Sequence, residues 1–532
     1  MPLPTNKIAK IHISNFKFFD KNRVIDLEGK DHLILYGENG SGKSSIYWAL
    51  YTLLDSSIKD NQGQIEKYFR KGDRDNLVNI YANNNNHSYV KLELDNGTEY
   101  QISPTNYDIL NNATINGNAQ AINLASDFIN YRMLYKFHDL KHSYDFEVFN
   151  YFLSEILMYL TIPTLSNQRA DKVWKELIQG PEKDFDLTGT EVHPMPVDIT
   201  ISNPALAGLQ TKYKTYRKKL NTFNRWFKNL LRDVESIAND ILENDLAQPF
   251  KIKIKFIPKV PDYDRQNPVI YKSKILIDVP TFNGKIGKIK KPHTFLNEAR
   301  LTALAISIRI GILKSRLTVS PIRLLILDDL LISLDMSNRD AILDVVLKKL
   351  SEDYQLLILT HDYNFYEFTK DKINKYNKEL SDLGQPQKTW TKLEMYEYKI
   401  GTRPVPNIIK SKTALEKANK YFYGKEDIDL AACGNNLRKA TEKFCELFLP
   451  VAAKYNANYI KLDLAPQIQK IPAEAIAKGL TSTLFADLDS YRQTIFNPQS
   501  HYNLSNPPLF KSELGRAIKT LQDISILTNI IL

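Results

Sequence analysis

An α/β fold, split by a helical insertion and followed by a mostly helical C-terminal part, is what this 532-residue sequence predicts. Three observations carry that expectation. The apolar run HLILY meets a glycine-rich turn, GENGSGKSS (37–45), which opens onto the helix-spaced SSIYWALYTLL. A second apolar run, RLLILDD (323–329), ends in two acids. A third, LLILTHD (356–362), carries a histidine near its end. Short apolar runs that stop at glycine or acid and alternate with helical spacing are the pattern of a buried, mostly parallel sheet.

The elements follow in order. IAKIHISNFKFF and RVIDL alternate as strands do before HLILY is reached. YVKLELDNGTEYQIS is two alternating runs joined at Asn96-Gly97, a hairpin signal. Residues 166–180 have helical spacing, and 181–204 are irregular and proline-rich. Over 205–245 the apolar residues Leu220, Phe223, Phe227, Leu230, Val234, Ile237 and Ile241 recur at spacings of three and four, a heptad seam. Wholly helical, that stretch reaches about 60 Å, enough for a short coiled-coil-like arm or a bundle helix. Strand character returns in KIKIKFIP (251–258) and VIYKSKILIDVP (269–280). Helices over 295–316 and 338–350 flank RLLILDD, and a third follows LLILTHD. From about residue 405 the chain reads as helical. These shifts set expected boundaries: 1–160 and 249–400 as two halves of one core, 161–248 as the insertion, and 401–532 as a helical domain suited to partner binding.

Composition narrows the class. With 43% apolar and 25% charged residues, the chain has the make-up of a globular protein rather than a disordered one. No apolar run reaches the roughly 18 residues of a membrane span, and MPLPTNKIAKIHISNF has no apolar signal core, so a cytoplasmic location without membrane contact is expected. Two cysteines, Cys433 and Cys445, exclude a disulfide framework and a four-cysteine metal site. The net charge of +10 leaves a nucleic-acid partner open and requires clustered charge to support it.

Gly37, Glu38, Asn39, Gly40, Ser41, Gly42, Lys43 and Ser44 fit G-x-x-x-x-G-K-[ST] in a strand–loop–helix context, with Ser45 following. Glycines let backbone N–H groups turn in around phosphate oxygens, and the helix N-terminus adds positive potential. A nucleoside triphosphate is therefore the expected ligand, with Lys43 reaching its β/γ-phosphates and Ser44 ligating Mg²⁺. The metal needs a carboxylate at the end of a buried strand. Asp328 suits that role, and Asp329 is suited to orient or deprotonate the attacking water. His361 falls at the end of the next apolar strand, where a γ-phosphate-sensing group is expected.

With Ser333-Leu334-Asp335 following the acids and Phe295-Leu296-Asn297-Glu298-Ala299-Arg300 opening a helix before them, the sequence resembles the ABC-type ATPases of the SMC, RecF and double-strand-break-repair group. GENGSGKSS resembles their Walker A, LLILDD their Walker B, SLD their D-loop and LTHD their switch-histidine loop. LNEARLTALA sits where their signature helix begins. The opening IHISNFKFF resembles their first strand, whose asparagine and aromatics lie near the base. The likeness covers roughly 1–100 and 250–370, with a much shorter arm between. It implies an ABC-type P-loop NTPase head that binds ATP and Mg²⁺ and hydrolyses ATP. It also implies a homodimer, or higher even-numbered oligomer, through ATP sandwiched between heads. In such a dimer Asn297, Glu298 and Asp335 complete the cofactor site of the opposite head. Two departures stand out: the signature lacks its glycines, and Asp329 replaces the usual glutamate. The segment NYRMLYKFHD (130–139) lies at the Q-loop position without a glutamine.

The insertion carries Lys212, Lys214, Arg217, Lys218, Lys219, Arg225, Lys228 and Arg232 among Tyr213, Tyr216, Trp226 and Phe227, a mixture suited to DNA or RNA. Lys285, Lys288, Lys290 and Lys291 read as an exposed basic loop. Arg492 and His501 invite comparison with HEPN-type ribonucleases, but eight residues separate them, a longer spacing than that motif has. Capping and packing by Asn497-Pro498 and His501 is the simpler reading. The compact head with a helical tail and no nuclease motif resembles the Septu- and retron-associated ATPases of bacterial antiphage systems. The expected function is thus an ATPase that regulates a separate nucleic-acid-directed nuclease. A RecF-like repair ATPase and a ribonuclease in the C-terminal domain are the alternatives.

Overall fold

A computed structural model describes residues 4, 6–130, 145–179, 184–185, 191–192, 207–258, 262–263, 268–269, 273–316, 319–330, 336–424, 428–480, 483–496 and 511–532. Its principal elements in the first unit, Met1–Ile409, begin with β1 (Ile8–Ser14), β2 (Arg23–Asp26), β3 (His32–Gly37) and α1 (Lys43–Ser56). Next come β4 (Tyr89–Leu94), β5 (Glu99–Ile102), α2 (Ala113–Ala125), β6 (Asp127–Asn130), α3 (Phe149–Glu155), α4 (Ala170–Gln179) and α5 (Ala207–Asp240). A three-stranded sheet of β7 (Phe250–Ile257), β8 (Lys274–Phe282) and β9 (Lys285–Ile289) precedes α6 (Glu298–Ser315) and β10 (Leu324–Asp328). The unit closes with α7 (Met336–Val345), β11 (Gln355–Thr360), α8 (Tyr363–Asp382), β12 (Trp390–Ile400) and β13 (Arg403–Lys410).

Six strands form the central sheet in the order β13-β12-β3-β11-β10-β6, and β12 through β6 pair parallel. Its central strands β3, β10 and β11 are almost wholly apolar because both faces are covered there. Ile34, Tyr36, Leu325, Leu327, Leu356 and Ile358 join one core cluster with α5, α6 and α8. The alternate residues Leu33, Leu35, Leu324, Ile326, Leu357 and Leu359 join a second, with α1 and the antiparallel sheet β2-β1-β4-β5. A period of two thus sends successive side chains into two different cores. β13 is the sheet's edge, and it carries Pro404 and Pro406, residues that strands tolerate at an edge because they donate no ladder hydrogen bond.

The insertion helix α5 belongs to the first of these cores. Leu220, Phe223, Phe227, Val234 and Ile241 of the seam are buried, but Leu230 and Ile237 are only partly so. Their neighbours Leu231 and Ala238 are the fully covered residues. The shift of one residue is the drift expected of a straight helix, with 3.6 residues per turn, against a 3.5-residue seam. It fits a helix packed on α6 and β7 rather than one wound around a partner. β8 and β9 also correct the sequence reading of an exposed basic loop. Asn283 and Gly284, with φ of 49° and 73°, make the hairpin turn between them.

The second unit, Lys410–Leu532, is helical, with α9 (Ala414–Tyr423), α10 (Leu430–Phe448), α11 (Leu464–Ala477) and α12 (Lys511–Thr528) as its longest elements. Phe444, Phe448 and Phe485 stack at its centre with Leu437, Ile468, Leu514 and Leu521. Cys433 and Cys445 are buried in α10 as free thiols, and burial pushes them up to about 11 and about 12. Among the described residues no helix is long and apolar enough to cross a membrane.

Candidate active site

The turn from β3 to α1 closes on itself because its glycines have no side chains to accommodate. A Cβ on Gly37 would lie 2.6 Å from Ser41 Oγ and 2.8 Å from Lys43 Cγ. Gly42 precedes α1 at φ 104°, and a Cβ there would come within 2.6 Å of the Phe18 ring and 3.0 Å of Met395 Cε. Phe18 and Met395 thus wall the loop; Phe18 is one of the aromatics of IHISNFKFF, whereas the sequence did not signal Met395. Glu38, Asn39 and Gly40 are exposed, and the Ser41 hydroxyl is buried without a partner among the described residues. Backbone N–H groups opening α1 give the loop the positive potential of a phosphate seat.

Parallel pairing of β10, β11 and β3 brings three strand ends together at this turn. Ser44 Oγ donates to Asp328 Oδ2 at 3.3 Å. Lys43, 5% exposed, holds Nζ 3.7 Å from Asp329 Oδ2. Asp329 is left-handed at φ 52°, a conformation that costs roughly 1 kcal/mol without compensation. The compensation is visible: its N–H donates to the Leu359 carbonyl at 2.9 Å, and its Oδ1 accepts from the His361 N–H at 2.8 Å. His361 Nδ1 also lies 2.9 Å from Asp329 Oδ2. Five residues singled out in the sequence therefore meet at the carboxyl ends of the central strands.

Asp328 is the electrostatically stressed member. Burial first, then the Asp329 charge, pushes its carboxyl from 3.8 to about 6, and Lys43 and Ser44 only partly offset this. Its Oδ1 is buried without a hydrogen-bond partner among the described residues. An anionic oxygen in that position suits a cation. Among the described residues no group of three or more His, Cys, Asp and Glu side chains could hold one alone. Ser44 and Asp328 would leave the remaining positions to phosphate and water, as Mg²⁺ sites do.

Asn297 and Glu298 open α6 and are exposed. The Asn297 side chain accepts from the Arg300 N–H at 3.0 Å, capping the helix. Beyond the cap, Leu301 through Leu313 are buried without a break. Arg309 lies inside that run, where Nε donates to Asp127 Oδ2 at 2.7 Å and Nη2 bonds Oδ1 of the same carboxylate. Arg316 Nη2 adds a contact to Asp127 at 3.2 Å. This buried cluster ties the signature-position helix to β6, the neighbour of β10. Its sequence signal is an arginine within the apolar run ALAISIRIGIL.

Phe18 lies against the loop, but Asn15, Phe16 and Phe19 depart from the expectation of a place near the base. Asn15 is buried, and its amide donates to the Asn84 carbonyl at 3.0 Å and Ser88 Oγ at 2.8 Å, locking a loop instead. Phe16 and Phe19 are fully buried. Along α5, Lys214, Arg217, Lys218, Arg225, Lys228 and Arg232 are exposed, Lys212 is half-buried, and Lys219 pairs with Glu176. Two of the interleaved aromatics are core residues and a third, Trp226, is partly buried against that core: Phe227 is fully buried, and the Tyr216 hydroxyl donates to the Leu177 carbonyl at 3.0 Å. Arg492 Nε donates to Asp489 Oδ1 at 2.8 Å. Ser333, Leu334, Asp335, residues 131–139, Asn497, Pro498, His501 and the side chains of Tyr213 and Lys288 lie outside the described residues.

This is the mixed α/β head of an SMC-type ABC ATPase. The RecF/RecN/SMC N terminal domain model matches residues 7–381, and the chain belongs to that family; membership implies ATP binding and hydrolysis. Two solved structures are similar. One is the Smc head domain with an extended coiled coil bound to the C-terminal domain of ScpA, from Pyrococcus furiosus, at 14% identity and TM-score 0.38, covering 78% of this chain and 98% of that one. The other is an SmcHead bound to the C-winged helix domain of ScpA, at 13% identity and TM-score 0.34, covering 76% and 98%. No curated protein matches the sequence.

Proposed function

We propose that this chain hydrolyses Mg²⁺–ATP at the β3–α1 turn, that two heads close on the nucleotide, and that closure regulates a separate nucleic-acid-directed nuclease in a bacterial antiphage system. The observation that carries the catalytic reading is the convergence of Lys43, Ser44, Asp328, Asp329 and His361 at the carboxyl ends of β3, β10 and β11. Backbone N–H groups of Gly37–Ser44 and the Lys43 ammonium bind and orient the phosphates. Ser44 and Asp328 would hold Mg²⁺, which would withdraw charge from the phosphate oxygens. Asp329, oriented by the His361 N–H, takes the proton of the attacking water. His361 senses the γ-phosphate. Asn297, Glu298 and Asp335 face the nucleotide of the other head, and the exposed start of α6 supports that role. The helical C-terminal unit serves as the partner-binding part.

Lys43→Ala should abolish ATP binding. Asp329→Ala should bind ATP, fail to turn it over and accumulate as a closed dimer on size exclusion. Wild-type turnover by the Asp329 variant would refute the assignment. A RecF-like repair ATPase is the second reading, favoured by the exposed cations of α5. Salt-dependent binding to gapped DNA, with no toxic partner gene adjacent, would select it. The ribonuclease alternative requires the purified chain to cleave RNA and Arg492→Ala to stop it.

A further inference from the structure

We propose that Arg339 is a positioning residue for hydrolysis: it fixes the N-terminus of α8, and through it His361 and Asp329. This role presupposes Asp329 as the water-activating group.

Arg339 lies in the first turn of α7, where a cation works against the helix dipole. Its side chain is only 11% exposed. Nη1 donates to Asp362 Oδ2 at 2.5 Å, and the guanidinium lies 5.7 Å from the centre of the Phe365 ring. Asp362 is the N-cap of α8, and its Oδ1 accepts from the Phe365 N–H at 3.0 Å. One carboxylate therefore serves two tasks, capping α8 and anchoring it to α7. Its pKa is held below the ordinary value, with Arg339 the leading stabiliser of the charge against the cost of burial.

The residue before Asp362 is His361, whose N–H holds Asp329 Oδ1 at 2.8 Å. Arg339 and Asp329 also wall the same small cavity of about 20 Å³, with Thr360 and Phe365. A shift of the α8 cap would thus pass directly into Asp329, whose left-handed backbone depends on these bonds. Arginine suits the position because one planar group can bond a carboxylate and stack on a ring together.

The experiment is steady-state hydrolysis with separately measured ATP affinity and thermal melts, on full-length Arg339→Ala, Arg339→Lys, Asp362→Ala and the Ala/Ala double variant. Displacing a catalytic group by about 1 Å costs roughly 10²-fold, so Arg339→Ala should lower kcat by about 10–100-fold. ATP affinity should stay close to that of the wild type. Arg339→Lys should recover part of kcat, and the double variant should be no worse than the poorer single one. Wild-type kcat in Arg339→Ala would overturn the assignment. So would a loss that merely tracks the folded fraction, or additive effects in the double variant. Asp329→Asn is run in parallel: if it turns over normally, the water-activating assignment fails, whereas an inactive Asp329→Asn beside a normal Arg339→Ala removes only the role given to Arg339.

Discussion

Asp328 is the residue at which site and stability conflict. Its carboxyl is raised from 3.8 to about 6 in the folded chain, so between those values the native state binds the proton more tightly than the unfolded state. Stability of the nucleotide-free protein from this group therefore falls as pH rises through that window and stays reduced above it. Asp328→Asn removes the charge. It should raise the melting temperature at pH 7.5, by up to ~3 kcal/mol of stability, with a smaller gain at pH 5. It should also end Mg²⁺-dependent turnover. A variant that melts no higher at pH 7.5 would contradict the stress attributed to this carboxyl. Asp127 presents the opposite case. Its charge is held well by Arg309 and Arg316, so Asp127→Ala strands two buried cations. A loss of about 3–5 kcal/mol in chemical denaturation is expected. At this scale the sequence was legible where a motif fixes both residue type and spacing, as for Lys43, Ser44 and the acid pair. It was silent on Met395, because contacts between distant segments leave no local pattern.

Among the elements, α6 shows what a motif leaves out. Its signature position lacks the family's glycines, yet the helix starts cleanly because Asn297 caps it. Asn297→Ala should cost about 1 kcal/mol, read as a lower melting temperature in the absence of nucleotide. The hairpin of β8 and β9 was readable at Asn283-Gly284, the same dipeptide type recognised at Asn96-Gly97, but the lysines around it made it resemble a loop. β12 and β13 went unread for another reason. Lys392, Leu393, Glu394 and Met395 do alternate, with Leu393 and Met395 in the core, but the polar residues of the other face and the prolines of β13 hide a strand pair that continues the sheet beyond β3. Phe227 of α5 belongs both to the aromatics suited to nucleic acid and to the heptad seam. Burial resolved that competition in favour of the core.

At the level of the whole chain, the alternation of β3, β10 and β11 between two cores explains why residues far apart in sequence share one crevice. A sheet covered on both faces has only its strand ends free, and ligands of such sheets bind beyond the carboxyl ends. The class was therefore legible from apolar runs and their terminal residues alone. The C-terminal unit was legible only as helical, since amphipathic spacing specifies a buried face and not its neighbour. Because the first unit has its own cores, a chain ending at Ile409 should still bind ATP, as measured by fluorescent-nucleotide titration; loss of binding would show that the helices are needed for the head itself.

The two cysteines of α10 have a practical consequence. Twelve positions apart on a helix, Cys433 and Cys445 are separated by about 18 Å, too far to bridge to each other. Covered and poorly ionised, they should ignore maleimide dyes under native conditions. The natural chain therefore offers a silent background. A single thiol engineered onto the exposed start of α6 would test the proposed closure of two heads by labelling or cross-linking, with both native sulfurs left in place.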